Sequence, residues 1–304
     1  MEKYVLKEKI WRVSCQLYEE FLYSKLIIVP DFCLSFLKNN NFLNETQKKE
    51  SKQLLVSICN YYRNVEYYDQ NNWHLAPLLL ELPEKQEKFE LQLLGLNSNN
   101  LYAFGGCCKN NSTNKMWKRD LSQQSFQWEE MRSMKKCREN FSSVVFKNNI
   151  YVFGGIVKKD VLNSCECYDS EHNVWRDVEP MNFPRYSASA TVYNDKIYIA
   201  GGYNENNEVE KSMEMYDLKK EKWVLVESMN TARRNFSLTN FENRLWAIGG
   251  HDNNEILSTV ESYDFEKKSW ILEKPLNEKR YLHAAINFKN ELYVVGGWRK
   301  KKCM

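Results

Sequence analysis

Four arginines and four histidines are the residues of this chain best suited by type and spacing to do chemistry. Arg138, Arg185, Arg233 and Arg280 recur at steps of 47, 48 and 47 residues. Converging guanidinium groups hold carboxylates or phosphates through paired N–H donors. Recurrence at one position of a repeat points instead to a structural task, pairing with neighbouring carbonyls or carboxylates. The histidines are His74, His172, His251 and His283. His251 and His283 fall where they could approach each other as metal ligands, yet two histidines on loops read as surface residues. The nine cysteines are scattered, and Cys107-Cys108 and Cys165-x-Cys167 are closer than the usual zinc pair. An odd count without a secretory signal predicts reduced, buried thiols. Cys303, second from the end, does not make a prenylation motif. No glycine-rich phosphate loop or nucleophile elbow occurs. The expectation is a non-catalytic chain without metal or cofactor.

The elements that carry these residues repeat. Glycine pairs stand at Gly105-Gly106, Gly154-Gly155, Gly201-Gly202, Gly249-Gly250 and Gly296-Gly297, a period near fifty. Each closes a short apolar run: LYAFGG, IYVFGG, IYIAGG, LWAIGG and LYVVGG. About fourteen residues later comes a Tyr-Asp step, at Tyr168-Asp169, Tyr216-Asp217 and Tyr263-Asp264. Seven residues after each tyrosine stands Trp175, Trp223 or Trp270. Sixteen residues before each of the last four pairs stands one of the four arginines. The first unit is looser, with Arg119-Asp120 and Trp128 in the corresponding places.

This pattern predicts a four-stranded antiparallel sheet repeated around an axis. The small residues of SASATV (187–192) and AAINF (284–288) suit an innermost strand crowded at a central channel. The run ending in Gly-Gly is the second strand, and its glycines permit a sharp exit and close approach of a neighbour's ring. The Tyr-Asp and Trp segments are the third and fourth strands, supplying large buried area between blades. An array of this kind leaves few free edges.

Arg, Gly-Gly, Tyr-Asp and Trp in register resemble the kelch repeat over residues 64–298. The resemblance implies an all-β kelch β-propeller. The segment NVEYYDQNNWHLAPL (64–78) reads as the third and fourth strands of a further unit, with Tyr68-Asp69 and Trp73. At the other end the fifth glycine pair is followed only by a basic tail, 299–304. Four full blades and two terminal half-blades therefore allow two arrangements: five blades closed where the halves join, or a truncated six. The truncated six-repeat origin is the favoured one.

Residues 1–62 contain no glycine and read as a short α-helical segment. Ile10, Val13, Leu17 and Phe21 share a helical face. Asp31 could cap a second helix after Pro30, and Asn44 with Gln47 a third helix carrying Leu54, Leu55 and Ile58. Residues 29–55 resemble the end of the BACK domain that precedes kelch repeats in BTB-BACK-kelch adaptors.

Net charge is only +3, so no basic field points to nucleic acid. No apolar run approaches membrane-spanning length, and MEKYVLKEKIW lacks a signal peptide's apolar core. A cytoplasmic, cytoskeleton-associated location is expected. Loops after the second and fourth strands share one face, and loops on a rigid scaffold carry binding specificity. The candidate partner-binding residues there are Tyr203, Asn204, Glu205, His251, Asp252 and Asn253 from the first loop class. Tyr186, Arg234, Asn235 and Tyr281 come from the second.

The resemblance implies a protein-binding propeller, the substrate-recognition part of an adaptor for a cullin-RING ubiquitin ligase. In that family the BTB domain binds the cullin; no BTB domain is expected in this chain, so cullin recruitment would need one supplied elsewhere. The alternative is a stand-alone scaffold binding actin or another cytoskeletal protein.

Overall fold

In the computed structural model the described residues are 6–9, 24–30, 53–59, 64–68, 73–76, 89–96, 100–108, 111–120, 127–288 and 290–298. Tight hairpins start three of the units. Phe146 and Asn149, Tyr193 and Lys196, and Phe241 and Arg244 are each joined by two residues with positive φ. Those pairs are Lys147-Asn148, Asn194-Asp195 and Glu242-Asn243. Two left-handed residues give the turn whose twist matches that of the strands it joins.

Each hairpin grows into a four-stranded antiparallel blade. Blade three is Ser142–Phe146, Asn149–Phe153, Cys165–Asp169 and Val174–Val178. Blade four is Ser189–Tyr193, Lys196–Ala200, Met213–Asp217 and Lys222–Val226. Blade five is Ser237–Phe241, Arg244–Ile248, Val260–Asp264 and Ser269–Leu272. Blade two comprises Phe89–Leu96, Asn100–Cys108, Met116–Asp120 and Glu129–Met131, with Asn111–Ser112 added beside the second strand.

The repeated residues have distinct tasks. Tyr168 pairs in register with Trp175, Tyr216 with Trp223 and Tyr263 with Trp270, their rings 5.1, 5.1 and 5.4 Å apart. Each of these indoles also donates to a carbonyl of the preceding unit: Trp175 to Arg132, Trp223 to Glu179 and Trp270 to Glu227. Aspartates of the Tyr-Asp steps hold the turn to the fourth strand; Asp217 Oδ1 accepts from the Lys219 and Lys220 amides. Between blades the cores are continuous, as where Phe104, Met116 and Met134 meet Phe141, Ile150, Tyr168 and Trp175.

Both glycines of each pair have positive φ. A Cβ on Gly201 would lie 2.3 Å from the Arg233 carbonyl and 2.7 Å from the Phe236 ring. The expected approach of a neighbouring ring to the glycine pair is thus present, Phe236 coming from the next blade.

The ends correct the expected arrangement. Asn64–Tyr68 and Trp73–Ala76 are the third and fourth strands of a complete blade one, whose first two strands are Ser24–Pro30 and Gln53–Cys59. Where it is described, the segment 1–62 is strand rather than helix: Leu54, Leu55 and Ile58 lie in Gln53–Cys59, and Pro30 ends Ser24–Pro30. A short, largely apolar run such as LIIV or LLVSI fits a strand or a helix equally by periodicity. Here β-branched Ile27, Ile28, Val29, Val56 and Ile58 and the pairing with Asn64–Tyr68 decide for strand. The other expected helices, including Ile10, Val13, Leu17 and Phe21, lie outside the described residues, as does the tail 299–304.

Blade six contains Tyr281–Phe288 and Glu291–Trp298, and its third strand is Leu6–Lys9, paired parallel to Glu291–Trp298. Innermost strands neighbour one another all the way around, and Ser24–Pro30 contacts both Phe89–Leu96 and Tyr281–Phe288. Among the described residues the ring closes with six blades, neither as five with joined halves nor as an open, truncated six.

Candidate protein-binding face

One backbone rule builds the loop face. In blades three to six the residue after the arginine pairs with the residue after the glycine pair: Glu139 with Ile156, Tyr186 with Tyr203, Arg234 with His251 and Tyr281 with Trp298. The next residue in each case, Asn140, Ser187, Asn235 or Leu282, has a left-handed backbone. These four are strung into a girdle: Ser187 N–H donates to Asn140 O (2.7 Å), Asn235 N–H to Ser187 O (3.0 Å) and Leu282 N–H to Asn235 O (2.8 Å). The blades' loops are therefore tied to each other, and the face is rigid across four of them.

On that frame lies a ribbon of rings and one cation. Tyr186 stacks on Tyr203 at 4.9 Å, and the Arg234 guanidinium lies over Tyr203 at 4.8 Å. Arg234 and His251 exchange both backbone hydrogen bonds at 3.0 Å. His251 meets Tyr281 edge-on at 5.8 Å, and Tyr281 meets Trp298 at 5.7 Å. All six are partly exposed. Burial raises the pKa of the Tyr186 and Tyr281 phenols, so both stay protonated hydrogen-bonding groups at neutral pH.

The remaining candidate residues hold or flank the loops. Asn204 Oδ1 accepts from the Asn206 and Glu208 amides, and its Nδ2 donates to Glu208 and Glu210. Asp252 Oδ1 accepts from the Asn254 and Glu255 amides at 2.7 Å each. Their side chains shape the loops they sit in, while Glu205 and Asn253 are exposed. Asn235 belongs to the girdle. Trp298 was not among the candidates, although it directly follows the fifth glycine pair just as Tyr203 and His251 follow theirs.

Inside the girdle is a cavity of ≈220 Å³, lined by Asn140, Ser187, Asn235, Leu282 and small residues of the inner strands. His283 also borders it but is not a loop residue as expected: it is buried, in the position that Phe141 and Phe236 occupy in blades three and five. Burial drives its pKa down to about 3, with Arg280 adding to the effect, so the imidazole is neutral. Among the described residues no group of three or more His, Cys, Asp or Glu is arranged to hold a metal. Cys107, Cys137, Cys165 and Cys167 are free thiols, and burial pushes Cys165 up to about 12.

The arginines form no anion site on this face. Arg138 donates to the Gly154 and Ser164 carbonyls and to Glu166 at 2.7 Å. Arg185 does the same with Gly201, Ser212 and Glu214, and Arg233 with Gly249, Thr259 and Glu261. Both partners of each ion pair are fully buried. The three glutamates escaped the sequence reading, although each stands two residues before its blade's tyrosine.

Six blades with these repeated contacts make the molecule a kelch-repeat β-propeller, related to the kelch-like proteins. Its family is that of the Attractin/LZTR1 beta-propeller, whose profile matches residues 101–302, and the chain belongs to it. Human Kelch repeat and BTB domain-containing protein 12 is 27% identical over 197 residues, 57% of this chain and 30% of that protein. Spermatocyte protein spe-26 of Caenorhabditis elegans is 31% identical over 112 residues, 34% of this chain and 19% of that protein. Human Kelch-like protein 23 is 35% identical over 78 residues, 26% of this chain and 13% of that protein. The chain thus spans less than a third of the length of these curated relatives. Propellers of this kind are in general non-catalytic domains that bind proteins.

Proposed function

We propose that the loop face of blades four to six binds a protein, and that the propeller is the substrate-recognition part of an adaptor for a cullin-RING ubiquitin ligase. The observation that carries the binding role is the continuous ribbon Tyr186–Tyr203–Arg234–His251–Tyr281 on a frame of backbone hydrogen bonds. Aromatic and arginine side chains held rigidly near an interface centre are the usual anchors of binding energy. Placement in the ligase pathway rests on kinship with kelch-like proteins and a BTB-containing relative. A BTB domain would supply the contact to the cullin.

The test is affinity purification of the chain beside its Tyr203→Ala and Arg234→Ala variants, each fused to a BTB domain. The reading expects a protein that the wild-type face captures and both variants lose, and that is ubiquitinated in a cullin-dependent manner. Capture without ubiquitination, together with co-sedimentation on actin filaments, would favour the scaffold alternative.

A further inference from the structure

The loop face changes character at blade three. There the residue after the arginine is Glu139, in the place that Tyr186, Arg234 and Tyr281 hold in blades four to six. Its backbone is fixed by an exchange with Ile156, at 3.0 and 2.9 Å. Its side chain is partly exposed, and its carboxylate makes no ion pair or hydrogen bond among the described residues. Cations close to it in sequence are engaged elsewhere: Lys135 pairs with Asp177, and Arg138 with Glu166. The Tyr186 hydroxyl bonds Asn207 Oδ1 at 2.8 Å. Glu139 borders the cavity of ≈220 Å³ inside the girdle, and no lysine or arginine lines that cavity. His283, its other titratable neighbour, is neutral. The border of the cavity thus carries one charge, and it is negative.

The neutral groups around it favour the same kind of occupant. Gln92 Nε2 donates to Ser143 Oγ at 2.6 Å, and Ser142 Oγ donates to the Ala188 carbonyl at 2.9 Å. These donors are spent within the protein, which leaves the Gln92 carbonyl oxygen as an acceptor. The Asn140 and Asn235 carboxamides and the Ser187 hydroxyl have no hydrogen-bond partner among the described residues. Their left-handed backbones do not by themselves demand asparagine, because Ser187 and Leu282 hold the same conformation. Ala188, Ala190, Phe236 and Leu282 make the rest of the wall apolar. The girdle's hydrogen bonds fix the rim, so the pocket is formed before anything enters it.

We propose that this cavity is the pocket for one basic side chain, lysine or arginine, of the protein bound on the loop face. The inference rests on the reading of that face as protein-binding, and it adds which residue the partner must present. An acid and several amide and hydroxyl oxygens beside an apolar wall match a side chain with a hydrocarbon stem and a cationic tip. A carboxylate entering the cavity would meet Glu139 with no lining cation to offset the repulsion. A purely apolar side chain would leave the carboxamides of Asn140 and Asn235 without water or partner, which costs binding energy. The ribbon of rings supplies contact area and the pocket supplies the choice among partners.

The test titrates the full chain with the acetyl methylamides of lysine, arginine, norleucine and glutamate, and follows the amide resonances of Asn140, Ser187 and Asn235. The lysine or the arginine probe should shift these resonances saturably, and the norleucine and glutamate probes should not. Glu139→Gln should weaken binding of the basic probe by about tenfold, the measure of one charge-assisted hydrogen bond lost. The variant should melt with the wild type, since the Glu139 carboxylate pairs with nothing in the described fold. An equal response to glutamate or norleucine would overturn the proposal, as would Glu139→Gln binding the basic probe as well as the wild type does. Capture of a protein through Tyr203 and Arg234 with no response to either basic probe would overturn the pocket and spare the binding face. A response to a basic probe with no protein captured would support the pocket and count against the binding face.

Discussion

Arg185 Nη2 donates to Glu214 Oε1 at 2.8 Å, with both side chains at most 1% exposed. The acid is further satisfied by the Asn182 amide and carboxamide, and Arg185 by two carbonyls. This pair welds the loop before blade four to the third strand of that blade. Removing one partner strands the other charge in the interior, which costs about 3–5 kcal/mol. Glu214→Ala should lose stability of that order in urea titration, and Arg185→Met/Glu214→Leu together much less than the sum. Additive losses would mean the two residues act separately.

Gly201→Val should be more severe than any change on the loop face. Gly201 has φ +65°, and a side chain there meets the Arg233 carbonyl at 2.3 Å. The loss should be roughly 4 kcal/mol or more, the range reserved for backbone strain and overpacking in a core. Thermal melting of Gly201→Val against Arg234→Ala checks this: the first should unfold many degrees earlier and the second stay near wild type.

His283 gives the propeller a predictable acid sensitivity. Its pKa is about 3 when folded and near 6.5 when unfolded, so between those values the unfolded chain binds the extra proton. Stability is full above pH 6.5 and falls as pH drops toward 3, by about 1.4 kcal/mol per unit of pKa difference. His283→Phe should remove this component, because Phe141 and Phe236 already fill the equivalent positions. Urea midpoints at pH 7 and pH 5 should diverge less in the variant; equal divergence would place the acid sensitivity elsewhere.

Much of this was readable in advance, and the reasons are local. Gly201-Gly202 and Tyr216-Asp217 each answer a requirement that few residue types satisfy: a left-handed backbone, a large interblade ring or a turn-holding carboxylate. Blade one was hidden because its register, Leu55 with Tyr68, puts Cys59 where other blades have the first glycine of the pair. Only residues 60–63 follow before its third strand, against 154–164 in blade three. Leu6–Lys9 was hidden because a strand defined by a partner at the far end of the chain leaves no local pattern. His283 was read as a loop residue because histidine seldom fills an aromatic core position. The stacking of Tyr186 on Tyr203 required knowing that the residues after Arg185 and Gly202 share a backbone bridge.

Arg234 and Tyr203 should behave as interface anchors. Truncating either should weaken partner binding by about 2 kcal/mol, a loss of roughly thirtyfold. Val224, exposed on the outer strand of blade four, should tolerate alanine without change. Titration of the captured partner by isothermal calorimetry measures all three.

Site-specific photocrosslinking tests the binding face most directly. A photoreactive phenylalanine analogue placed at 203, 281 or 224 would report which surface a partner covers. The account predicts that one discrete protein is captured from positions 203 and 281, that Arg234→Ala abolishes the capture, and that position 224 captures nothing. Capture from position 224 alone, or capture at 203 and 281 unaffected by Arg234→Ala, would contradict it.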